Sequence, residues 1–201
     1  MPKKSSEYYD AIYSIGGNNL SYHKHFEKSP YIKIWKAVIN NIPKNSICLD
    51  FGCGNGQFAD ALNSYRPGIN YTGIDFSPEA IKQARKRCLS PNIKFYNKEL
   101  DWWIDSGRFA KFTHYISLET LEHVDDELEF KFLQNIPDEK VVILSLPNFK
   151  SPAHIRTYPD AEMIKERYSG LLNITEHHEF IMNKETGAKI TLVIGTKICQ
   201  D

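Results

Sequence analysis

Glu119, Glu122 and His123 fall within one short stretch, "SLETLEHV". Two carboxylates and an imidazole at i, i+3 and i+4 share one face where a helix begins. Side chains of these types, brought together, can do two kinds of chemistry. They can hold a hard divalent cation, with the histidine supplying a nitrogen ligand. Alternatively, His123 acts as general base on a hydroxyl while a glutamate such as Glu122 fixes its tautomer. A histidine that merely packs is the third reading.

A second group lies upstream, in "ICLDFGCGNGQFADAL". Asp50 closes an apolar run, and Gly52, Gly54 and Gly56 follow it. Residues without a side chain let the backbone turn sharply and leave space above the turn. Asp75 comes 25 residues after Asp50, at the end of the next apolar run. A carboxylate there can accept hydrogen bonds from both hydroxyls of a ribose. The spacing is D-x-G-x-G-x-G. A dinucleotide fingerprint would need glycine where Gln57 stands, and a phosphate loop would end in Lys-Ser/Thr.

The elements that must position these groups alternate. "KNSICLDF" reads as a buried strand and "QFADALNSY" as a helix. "NYTGIDF" is a strand, and "SPEAIKQARKRC" a helix with Ser77 as its cap and Pro78 in its first turn. "NIKFYN", "FTHYISL" and "KVVILSLP" are further strands, with a helix from Glu119 to Asn135 between the last two. "YPDAEMIKERYSG" is a helix, and a hairpin about "NKETG" ends the chain. Strands alternating with helices predict a parallel sheet covered on both faces, to which the hairpin adds an antiparallel strand. In such sheets ligands bind at the carboxyl ends of the strands, where both groups lie. Upstream, "SPYIKIWKAVINNI" predicts a helix capped by Ser29, with Pro30 at its first position.

The 201 residues suit one domain, and 41% hydrophobic with 25% charged is an ordinary globular composition. Lys plus Arg and Asp plus Glu are 25 each, so there is no global field to attract nucleic acid or anionic membrane. No apolar run approaches the roughly 20 residues of a membrane span. No apolar segment follows the two lysines of "MPKKSSEYYD", and the four cysteines show no CxxC spacing. A cytoplasmic protein is expected.

The glycine stretch resembles motif I of class I methyltransferases that use S-adenosylmethionine, and the resemblance extends over about residues 45–197. It implies a Rossmann-like methyltransferase domain over 45–201: a single α/β domain on a seven-stranded, mostly parallel sheet with helices on both faces. It implies Asp75 as the ribose acid, Glu99 and Leu100 against the adenine, and Asp50 near the cofactor's amino group. Phe51, Gly52, Cys53, Gly54, Gly56, Phe76 and Leu118 complete the implied cofactor contacts. "LETLEHV" resembles the corresponding segment of ubiquinone-pathway O-methyltransferases and of small-RNA 2′-O-methyltransferases, where ExxEH is associated with a divalent metal. The RNA enzymes add a histidine after the fifth strand, and His154 stands there in this chain. Glu119, Glu122, His123 and His154 are then a four-ligand set for Mg, Mn or Zn. In this fold the segment before motif I often lids the site, which makes residues 1–44 a lid or helical segment; the other reading is that its aromatics staple it to the sheet. Tyr9, Tyr13, Tyr22 and His23 within it, with Arg156 and Tyr158, are the expected substrate contacts. O-methylation of a small molecule is the expected activity, ahead of RNA 2′-O-methylation and of a regulatory protein that binds the cofactor without chemistry.

Overall fold

The computed structural model describes residues 4–199, without the side chains of 18–20. Five apolar runs form parallel strands: β1 (Ile47–Phe51), β2 (Asn70–Asp75), β3 (Ile93–Asn97), β4 (His114–Leu118) and β5 (Val141–Pro147). The hairpin of β6 (Leu172–Asn183) and β7 (Ala188–Lys197) extends the sheet, with β7 antiparallel to β5. The order is β3-β2-β1-β4-β5-β7-β6. It reverses between β1 and β4, so a crevice opens at the carboxyl ends of these two strands. The expected fold class is the one observed.

One apolar core lies on each sheet face. Val38, Ile42, Phe58, Ile81, Ile116 and Ile143 belong to the first, and Leu49, Ile74, Trp103, Phe132, Leu144 and Tyr168 to the second. Side chains of one strand supply both, because successive residues point to opposite faces. The helices are α1 (Ser6–Ile15), α2 (Ile32–Asn40), α3 (Gln57–Tyr65), α4 (Pro78–Arg87), α5 (Leu100–Asp105), α6 (Asp126–Gln134) and α7 (Ala161–Tyr168). Ser77 Oγ accepts the Ala80 N–H at 3.0 Å, which caps α4 as expected. Among the described residues no helix is long and apolar enough to cross a membrane.

Two local expectations need correction. The helix expected from Glu119 is broken: Leu121–His123 form a 3-10 turn, and α6 begins only at Asp126. Asp125 caps it by accepting the Leu128 N–H at 2.8 Å, which fixes the start beyond the histidine. Ser29 does not cap α2; it accepts from Tyr31 N at 3.3 Å in the turn before that helix. The aromatic N-terminus contains a helix of its own, α1, which no apolar periodicity announced.

Candidate active site

Gly52 has φ +78°, and a Cβ on it would sit 2.3 Å from the Thr120 side chain. The Thr120 hydroxyl lies 3.3 Å from the Gly52 carbonyl and donates to it, so the glycine turn and the β4 turn are fastened together. Gly54, at φ +53°, donates its N–H to Asp75 Oδ2 at 2.9 Å, and Ser77 N–H donates to Oδ1 at 2.9 Å. Each carboxylate oxygen keeps a lone pair for a ribose hydroxyl. Burial raises the Asp75 pKa to about 6; the two N–H groups pull it down, and Asp10 and Glu99 push it up.

A cavity of about 670 Å³ opens beside this turn, within the range of small-ligand sites. Of the residues expected to contact the cofactor, Phe51, Gly52, Asp75, Phe76, Glu99 and Leu100 line it. The other expected contacts stand behind its wall. Asp50 is buried beneath the turn, where the Tyr71 hydroxyl donates to Oδ2 while Oδ1 has no partner. Burial lifts its pKa to about 7. Cys53 packs against Gly73, and Leu118 lies outside the lining. A Cβ on Gly56 would come within 2.9 Å of Ala84, so this glycine lets α3 and α4 approach. Gly54 is covered by the Tyr13 hydroxyl, 2.7 Å from an added Cβ.

The same cavity reaches Glu119, Glu122, His123 and His154. Ligand atoms of Glu122, His123 and His154 lie within 4.8 Å of one another. His123 Nδ1 is 3.0 Å from the Ala153 carbonyl, and His154 Nδ1 is 2.9 Å from the Phe149 carbonyl. Only a protonated Nδ1 can donate there, so each ring keeps the lone pair of its Nε2. Those Nε2 atoms lie 3.6 and 3.9 Å from Glu122 Oε1. Neither carboxylate oxygen of Glu122, fully buried, has a hydrogen-bond partner. Burial lowers the His123 pKa to about 4, with His154 adding to the shift, so protons on the imidazoles do not relieve the cluster. Burial, with Glu119 nearby, lifts the Glu122 pKa well above the usual carboxylate range. Glu119 is not in the cluster. Its backbone is left-handed, with φ 53°, and its carboxylate turns to the Ser145 hydroxyl at 3.0 Å. Of the four expected ligands, the structure brings three together.

Tyr9, Tyr13 and Tyr22 line the cavity from the N-terminal segment. His23 does not: it packs on Gly16 with Nε2 3.2 Å from the Tyr13 carbonyl. Arg156 and Tyr158 also point elsewhere. Arg156 donates to the Leu121 carbonyl at 2.7 Å and pairs with Glu129 at 2.7 Å. The buried Tyr158 donates to Glu129 at 2.9 Å. A buried carboxylate needs such partners, and both expected contacts are spent on it. The sequence reading missed Asp10, which accepts from Ser77 Oγ at 2.5 Å and from Glu79 N at 3.1 Å. It also missed the straps of the N-terminal segment. Gln57 Nε2 donates to the Ser21 and Lys24 carbonyls, and Arg87 donates to those of Tyr22, Lys24 and Asn55. No local signal marks them, because they join residues distant in sequence.

Residues 48–138 match the family model described as methyltransferase domain. A tRNA (guanine-N(7)-)-methyltransferase from Clostridium perfringens is 27% identical over 82% of this chain and 87% of its own. A ubiquinone biosynthesis O-methyltransferase from Paracidovorax citrulli is 35% identical over 39% of this chain and 33% of its own. Among solved structures, the N-methyltransferase NodS from Bradyrhizobium japonicum, in complex with S-adenosyl-L-homocysteine, matches with a TM-score of 0.69. That match covers 94% of this chain and 97% of NodS at 15% identity, a likeness of fold. By their names these relatives differ in acceptor, so likeness alone does not choose one for this chain.

Proposed function

We propose that this chain, as a class I S-adenosylmethionine-dependent methyltransferase, methylates a hydroxyl oxygen of a small molecule held beside the Glu122–His123–His154 cluster. S-adenosylmethionine supplies an already activated methyl group, so the protein's task is alignment. The cavity fits it. Asp75 offers one free lone pair per oxygen to the ribose, Glu99 and Leu100 line the part assigned to the adenine, and the Gly52 turn leaves the room between. The acceptor end of the cavity is then the end bearing Glu122.

The observation that carries the reading is the pair of unpartnered Glu122 oxygens facing two Nε2 atoms. Lone pairs on three sides of one point repel unless a proton on Glu122 or a cation lies among them, and one carboxylate with two imidazoles is a donor set that suits a divalent cation. Glu122, His123 and His154 would therefore hold a divalent ion, and the Nδ1 bonds to Ala153 and Phe149 would aim the rings, as outer partners of metal-binding histidines do. Such an ion supplies Lewis acidity that lowers the pKa of an acceptor hydroxyl. The hydroxyl proton then passes to solvent as the new oxygen–carbon bond forms and the carbon–sulfur pair stays on sulfur.

Similarity to a tRNA enzyme over most of the chain favours RNA as the second reading. Against it stand the zero net charge and the α1 roof over the cavity. Transfer of labelled methyl to small phenols and sugars, but not to short RNA, is the expected result. Transfer to RNA alone overturns the small-molecule assignment.

Asp75→Ala is expected to weaken S-adenosylmethionine binding by about 1–3 kcal/mol, the scale of a lost charged hydrogen-bond acceptor. Ribose hydroxyls donate to the ionised carboxylate, so the ligand selects the deprotonated form. Affinity should hold steady above pH 6 and fall as the pH drops below the Asp75 pKa of about 6, approaching tenfold per unit. Calorimetry across pH checks both. A dependence that persists in Asp75→Asn means another group carries it.

A further inference from the structure

Tyr9, on α1, touches residues of both halves of the cavity. Its ring is edge-on to Phe76, centroids 5.4 Å apart, and edge-on to His123 at 5.8 Å. Phe76 follows the ribose acid in sequence, and His123 belongs to the acceptor-end cluster. Among the groups around Tyr9, Glu122 is the charge that bears most strongly on its hydroxyl. That hydroxyl is buried and has no hydrogen-bond partner. A buried phenol normally finds one.

The Glu122 oxygens are equally without partners, and they do not bond to Tyr9. A donor without an acceptor and acceptors without a donor thus line one end of one cavity. The placement of Tyr9 is not loose. Its neighbour Asp10 is held by Ser77 Oγ and the Glu79 N–H, and Gln83 holds the Tyr13 carbonyl at 3.0 Å. These bonds fix α1 in height and rotation against α4, the helix that follows the ribose acid.

We propose that Tyr9 donates its hydroxyl hydrogen to the acceptor oxygen, which makes α1 part of the catalytic site and not only its roof. This rests on the reading above, in which the acceptor is a hydroxyl at the Glu122 end. That oxygen has more than one lone pair. One attacks the methyl carbon as the carbon–sulfur bond breaks and its electron pair stays on sulfur. Another accepts from Tyr9, which orients the first. Tyr9 keeps its own proton throughout, and the acceptor's proton passes to solvent.

Tyr9→Phe preserves both ring contacts and removes only the donor. The experiment compares it with the wild type in three measurements: S-adenosylhomocysteine affinity by calorimetry, melting temperature, and kcat and KM with the best hydroxyl acceptor of the panel. The expected result is kcat lower by about 10²-fold, the scale of losing the alignment of the attacking lone pair, with cofactor affinity and melting temperature unchanged. A variant with wild-type kcat overturns the proposal. So does a loss of kcat matched by an equal loss of cofactor affinity, since Tyr9 would then only hold the roof in place. If the wild type itself methylates no hydroxyl, the hydroxyl reading fails and takes this inference with it. The wild-type assay alone separates that case from the others.

Discussion

Glu122→Gln should cut methyl transfer by about 10²–10³-fold, the scale of a lost electrostatic contact to the reacting oxygen, and should leave the fold as stable as before or more so. The two effects share a cause. Glu122 is fully buried, and its oxygens face the Nε2 lone pairs of His123 and His154 at 3.6 and 3.9 Å. A glutamine of nearly the same size replaces a carboxyl that burial keeps in its neutral form with an amide that can also donate to those nitrogens. The ion-free protein therefore loses nothing by the exchange. With a cation the balance reverses, because a neutral amide oxygen is a weaker ligand than a carboxylate. Calorimetric titration with Mn²⁺ or Zn²⁺ should give a clear signal with wild type and little with the variant. Near-normal turnover in Glu122→Gln would remove the carboxylate from the chemistry.

Gly54→Val should abolish measurable S-adenosylmethionine binding in a protein that still folds. Valine at φ +53° is strained, at a cost of about 1–3 kcal/mol. Its Cβ would also meet the Tyr13 hydroxyl at 2.7 Å. Either the loop shifts and breaks the Gly54 N–H bond that aims Asp75, or Tyr13 moves into the cavity. Both outcomes close the ribose end. Circular dichroism together with calorimetry checks this. Unchanged affinity would contradict the role given to the glycine turn.

The parts of the site that were legible in the sequence are those encoded locally. Asp75 ends a strand whose apolar run and capped following helix can both be read, so its place at the sheet's carboxyl edge followed. His154 was reachable because the resemblance places a histidine after the fifth strand, and β5 pairs directly with β4. The failures are non-local. Nothing near Glu119 announces a left-handed backbone; the Ser145 hydroxyl, on the neighbouring strand, turns its carboxylate away. Gly56 looked like one more ligand glycine, whereas its use is the approach of Ala84 from another helix. Arg156 sits close to His154 in sequence and looked available to a substrate. Glu129, buried on what reads as a charged helix, claims it. Arg87, at the end of a helix legible in the sequence, holds the carbonyls of the N-terminal segment, a contact that no local pattern encodes.

The most direct test of the central claim is transfer of labelled methyl from S-adenosylmethionine to small hydroxyl compounds. It is run on protein stripped with a chelator and then on the same protein after a divalent cation is restored. The predicted result is little transfer when stripped, recovery on adding Mn²⁺, Mg²⁺ or Zn²⁺, and cofactor affinity unchanged throughout, because Asp75 and the Gly52 turn lie apart from Glu122, His123 and His154. Equal turnover with and without the cation would contradict the metal assignment and leave His123, with Nε2 free, as the candidate base. No transfer to any hydroxyl under either condition would contradict the function itself.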